Sequence, residues 1–106
     1  MTFEEILSFT RASAVGKNAA GVPFLAVQIN ITGDDPHVMY VEIKDGKVSV
    51  EPYEYIDRSC AITLSSDDLV KLIQGKLDPI GAYTTGKLKV EGDLGKALEF
   101  SKLIKK

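Results

Sequence analysis

The chain has one cysteine, Cys60, among 106 residues. No intrachain disulfide can form, and no CxxC metal or redox pair exists. Histidine is equally scarce: His37 stands alone, directly after Pro36. No apolar run approaches the roughly 18 residues that span a bilayer. Neither sign of charge dominates, with a formal net charge of −2, so there is no electrostatic footprint for nucleic acid. Repeats, linkers and low-complexity stretches are missing as well. The start, Met1-Thr2-Phe3-Glu4-Glu5, is acidic and does not read as a secretory leader. The end, Leu103-Ile104-Lys105-Lys106, carries neither a peroxisomal Ser-Lys-Leu address nor a lipidation signal. The expectation is a cytoplasmic protein forming a single domain over residues 1–106. A domain of this length buries about two-thirds of its unfolded surface, enough for one core.

What is present is periodic. Thr2 and Glu5 make a capping-box pattern ahead of Phe3, Ile6, Leu7 and Thr10, which predicts a helix over 3–13. Leu25, Val27, Ile29 and Ile31 alternate within 22–32, and Met39, Val41 and Ile43 alternate within 38–43. Asp45-Gly46 is a two-residue hairpin signal leading into a third strand, 47–50. Cys60, Ile62 and Leu64 alternate as a fourth strand. Ser65 with Asp68 caps a helix carrying Leu69, Leu72 and Ile73, which Gly75 closes. Asp78-Pro79 starts a short helix to about Tyr83. Leu88 and Val90 form a fifth strand, and Asp93 caps a last helix with Leu94, Ala97, Leu98, Ser101 and Ile104 in one stripe. The order α-β-β-β-β-α-α-β-α predicts an α+β fold with helices gathered on one face of the sheet. Hairpins join strands one to three, and a crossover is expected between strands four and five.

Catalytic constellations are thin. His37 as a general base needs a carboxylate and a nucleophile beside it, and Asp34 and Asp35 read as solvated loop acids. Cys60 opens an apolar strand, where a free thiol behaves as a small buried hydrophobe. Asp67 and Asp68 offset a helix dipole, and Asp57-Arg58 reads as a local ion pair. The scattered glycines match no phosphate-cradle spacing, and Tyr40, Tyr53, Tyr55 and Tyr83 do not interleave with basic residues. No enzyme, metal or cofactor is expected. Lys102, Lys105 and Lys106 make a basic end that completes a helix dipole and offers at most a weak, transient membrane contact.

The C-terminal half carries the strongest signal. Cys60-Ala61-Ile62-Thr63-Leu64 runs into Ser65-Ser66-Asp67-Asp68-Leu69, then Gly75-Lys76-Leu77-Asp78-Pro79, Ala82-Tyr83 and Gly86-Lys87-Leu88-Lys89-Val90-Glu91-Gly92-Asp93. This ordered series resembles the sterol carrier protein-2, or non-specific lipid-transfer, domain over about residues 59–103. The front half agrees only in element order. The resemblance implies a mixed five-stranded sheet with an apolar tunnel between sheet and helices. It also implies non-catalytic carriage of a fatty acid, acyl-CoA or sterol-like ligand. Carried over by position, the tunnel wall comprises Leu69, Leu72, Ile73, Leu77, Ile80, Tyr83, Leu98, Phe100 and Leu103. Each is also a residue that an ordinary helix-on-sheet core requires. The Tyr83 hydroxyl could hold a head group. Thr84 and Thr85 depart from the family's second aromatic, which implies a more polar or narrower exit, and a short front end could leave apolar surface for a homodimer. The alternative reading is a dimerisation or protein-interaction module with a collapsed cavity.

Overall fold

The computed structural model describes residues 2–14 and 20–104. In chain order these residues form α1 (Phe3–Ala14), β1 (Leu25–Thr32), β2 (His37–Lys44), β3 (Lys47–Glu51), β4 (Cys60–Ser65), α2 (Ser66–Ile73), α3 (Pro79–Thr84), β5 (Lys89–Gly92) and α4 (Leu94–Ile104). The capping box is made as the sequence implies. Glu5 accepts from the Thr2 amide at 2.8 Å, and Thr2 Oγ1 accepts from the Glu5 amide at 3.2 Å. Asp45 and Gly46 take φ of 52° and 77°, the pair of positive values that a two-residue hairpin turn requires.

The sheet order is β3-β2-β1-β4-β5. β1 is antiparallel to β2 and parallel to β4, so the sheet is mixed. The expected crossover therefore lies elsewhere: β4 and β5 pair antiparallel, and the parallel pair is β1 with β4. The connection that makes this possible is the segment 52–59, which leaves one edge strand and passes three strand spacings, about 15 Å, to the far side of β1. Tyr55 holds it down in mid-crossing. Its hydroxyl donates to Glu42 of β2 at 2.6 Å, and its amide donates to the Gln28 side chain of β1 at 3.1 Å. Gln28, Asn30 and Thr63 then link side chain to side chain across the same face.

The opposite face carries the core. Leu25, Val27, Ile29 and Ile31 of β1 share one apolar cluster with Met39, Val41, Ile62 and Leu64 and with residues of α1, α2 and α4. Two elements differ from their sequence reading. In α4 the buried stripe is Ala97, Phe100, Ser101 and Ile104, while Leu94 is 41% exposed. The stripe is rotated because Phe100, the bulkiest side chain available, takes the core. β5 starts after Leu88, because the Leu88 amide donates to the Ala82 carbonyl at 3.1 Å and is unavailable to the ladder. The Asp57-Arg58 pair is also replaced: Arg58 reaches Glu91 at 2.7 Å.

Candidate functional site

The end of α2 sets up the site. Gly75 takes φ of +76°, its amide donates to Leu72, and the Lys76 amide donates to Lys71. This is a Schellman closure, and a side chain at Gly75 would be strained in that conformation. The chain reverses, crosses in front of α4 and starts α3 at Asp78, whose carboxylate accepts from the Gly81 amide at 3.1 Å.

The reversal leaves a groove of about 470 Å³ between the 75–80 segment and α4, a size suited to a small apolar ligand. Leu72, Leu77, Pro79, Ile80 and Leu98 supply its apolar lining, Lys76 and Lys102 line it as cations, and Asp78 lines it as an anion. Ser101 also lines it, but its hydroxyl donates to the Leu98 carbonyl at 2.8 Å, which satisfies the polar group inside its own helix.

Four of the nine positions expected to form a ligand wall thus come together in this groove: Leu72, Leu77, Ile80 and Leu98. Leu69 and Ile73 are fully buried and Phe100 is 1% exposed, and all three are packed in the common core. Leu103 packs against that core half-buried. Tyr83 is 46% exposed and lies outside the groove lining. Ser101, Lys76 and Lys102 were missed from sequence; spacing from Leu98 at i+3 and i+4 was the available signal for Ser101 and Lys102. Thr84 and Thr85 lie outside this groove lining. Their hydroxyls donate back to the Ile80 and Gly81 carbonyls at 2.9 Å.

α3 is a lightly attached cover. Its only buried residue is Ala82, whereas α2 buries Leu69, Leu72 and Ile73 and α4 buries four residues.

The reactive residues lie elsewhere. Cys60 is 1% exposed, and burial, reinforced by Asp93, pushes its thiol up to about 11, away from the thiolate a nucleophile requires. His37 does have a carboxylate partner: its Nε2 lies 2.9 Å from Asp35, and its ring stacks on Phe3 at 4.2 Å. That arrangement ties the start of α1 to β2. No cluster of acidic, histidine or cysteine side chains among the described residues could hold a metal ion. No helix among them is long and apolar enough to cross a membrane.

Comparison with known proteins identifies the family. Hydroxysteroid dehydrogenase-like protein 2 of Xenopus tropicalis is 32% identical over 106 residues, covering 97% of this chain and 24% of that protein. Sterol carrier protein 2 of Oryctolagus cuniculus is 40% identical over 63 residues, 59% of this chain and 12% of that one. The chain therefore spans a quarter or less of these relatives. The solution structure of palmitated sterol carrier protein 2 like 2 from Aedes aegypti superposes with a TM-score of 0.73 at 22% identity, covering 98% of this chain and 95% of that one. The SCP-2 sterol transfer family profile matches residues 3–105, and the chain belongs to that family, whose domains bind and transfer lipids.

Proposed function

We propose that this domain carries a long-chain lipid without chemistry on it, admitting the tail through the groove between the 75–80 segment and α4. The tail then runs inward by parting Leu69, Ile73, Phe100 and Leu103, which pack together in the ligand-free core, so that the groove becomes the mouth of a tunnel. The observation that carries this is the apolar lining of Leu72, Leu77, Ile80 and Leu98 beneath a helix that buries one small side chain. Sequestering a tail stabilises the complex by roughly 0.8 kcal/mol per CH₂, with no directional requirement, which gives low selectivity among apolar ligands. The palmitated Aedes aegypti structure supports a fatty-acid chain as the class to try first. A buried neutral thiol at Cys60 and a structural pairing of His37 support carriage rather than catalysis. The setting we favour is the cytoplasm, with the carrier meeting membranes transiently.

Delipidated protein titrated with a fluorescent fatty acid, alongside native mass spectrometry of detergent-free material, tests the reading. Saturable uptake near one ligand per chain is expected. Failure to take up any fatty acid or sterol analogue would sink it. A second reading, an interaction module with a collapsed cavity that forms a homodimer, is favoured by the closed packing around Phe100. A dimer by light scattering that takes up no lipid is its signature.

A further inference from the structure

Two large apolar side chains stand out of α3. Ile80 is 62% exposed and Tyr83 is 46% exposed, and their spacing of three puts them on one helical face. The charge around them is mainly positive, with Asp78 the one carboxylate in the groove lining. Lys76 and Lys102 line the groove beside Ile80, and Lys87 lies three residues beyond the end of α3. All three lysines are exposed, and none makes an ion pair among the described residues. Asp78 is outnumbered by the lysines and accepts from the Gly81 amide, and Glu99 lies 3.7 Å from Lys96. A second exposed apolar pair, Tyr53 and Ile56 in the segment 52–59, is interleaved with Glu54 and Asp57 instead. An acidic surface repels it.

We infer that the α3 face docks on a bilayer carrying anionic headgroups, with Ile80 and Tyr83 entering the interface and Lys76, Lys87 and Lys102 meeting the phosphates. Tyrosine suits that depth, having an apolar ring and a polar tip. Docked this way, the groove mouth beside Ile80 faces the membrane, so a tail passes between bilayer and protein without crossing water. The inference rests on the lipid-carrier reading above and assigns its membrane contact to one surface.

The test is co-sedimentation of the whole chain with vesicles of phosphatidylcholine alone or of phosphatidylcholine and phosphatidylserine in equal amounts. Binding to the mixed vesicles only is expected, and it weakens in 1 M salt, where charges are screened beyond about 3 Å. Lys87→Gln lowers the partition coefficient about fivefold, and Lys87→Gln with Tyr83→Ser lowers it further. Lys87 is exposed and outside the groove lining, so Lys87→Gln keeps fatty-acid uptake from solution. Tyr53→Ser with Ile56→Ser leaves sedimentation unchanged. Equal binding to both vesicle types, no binding at all, or loss on the Tyr53/Ile56 variant instead would overturn the docking surface. Protein that takes up fatty acid from solution yet ignores mixed vesicles overturns docking and leaves carriage standing. Protein that sediments as expected but takes up no lipid overturns carriage alone.

Discussion

Ile80 and Phe100 were both expected to touch ligand, and the structure separates them by when their apolar surface leaves water. Ile80 is 62% exposed in the unliganded protein and Phe100 is 1% exposed. Fully burying an aliphatic side chain is worth about 1.5–3 kcal/mol. Covering the exposed part of Ile80 with a lipid tail therefore contributes about 1–2 kcal/mol to binding. Ile80→Ala should weaken fatty-acid affinity about five- to thirtyfold while costing the fold at most about 1 kcal/mol. Phe100→Ala acts chiefly on the fold. It opens a cavity in a closed core, costs about 3–5 kcal/mol and lowers Tm by about 12 °C or more. The assays are displacement of a fluorescent fatty acid and thermal unfolding of the ligand-free variants. If Ile80→Ala left affinity unchanged, or lowered Tm as far as Phe100→Ala, the assignment of the groove as ligand mouth would be refuted.

A series of saturated fatty acids should bind about fourfold more tightly per added CH₂ until the cavity is filled, then level off; calorimetry that shows no length dependence argues against an internal tail. Cys60 should resist thiol reagents at neutral pH, reacting only at the rate of global opening. Because its thiol is raised to about 11 by burial, the unfolded state ionises first. Stability is thus intact below about pH 9 and falls as pH rises toward 11, by up to about 1.4 kcal/mol per unit. Tyr55, raised to about 12 by its hydrogen bond to Glu42, acts in the same direction above pH 10, so Cys60→Ala should flatten only the earlier part of the decline. Ser65→Ala removes the acceptor of the Asp68 amide at 3.2 Å and should cost about 1 kcal/mol by denaturant unfolding. Gly92→Ala should cost more, since its φ is +90° and a Cβ would lie 3.1 Å from the Ser59 carbonyl.

The elements were legible because their signals are local. Alternation in β1 and β2, the Asp45-Gly46 turn and the caps at Thr2, Ser65 and Asp78 each involve residues a few positions apart, and each forms as read. The parallel pairing of β1 with β4 was not legible. It depends on Tyr55 reaching Gln28 and Glu42 across the sheet, and nothing in the alternation of Cys60, Ile62 and Leu64 says which strand lies beside them. The rotation of α4 has a similar cause. Leu94, Leu98 and Phe100 are all apolar, so the periodicity admits more than one buried stripe, and competition for the core decides in favour of Phe100. The candidate site divides along the same line. Leu69 and Leu72 sit three residues apart on one helix, yet Leu72 lines the groove and Leu69 does not. The Gly75 reversal settles which of them the returning chain leaves uncovered.

That reversal also sets how easily the site can open. Tilting α3 away as a unit keeps its internal bonds and both capping interactions, and it exposes Ala82 as the one fully buried side chain. The bonds at risk are those from the Lys87 and Leu88 amides to the Ala82 carbonyl. At about 0.5–1.5 kcal/mol net for each bond, and less than about 1 kcal/mol for the alanine methyl, opening costs a few kcal/mol. Six methylenes of a lipid tail, at about 0.8 kcal/mol each, outweigh that. Removing α2 or α4 instead would uncover Leu69 and Ile73, or Phe100 and Ile104, and no tail of ordinary length offsets such a loss together with the packing around it. α1 buries Ile6 and Leu7 and fares no better, so α3 is the helix that the proposed tail would displace at least cost.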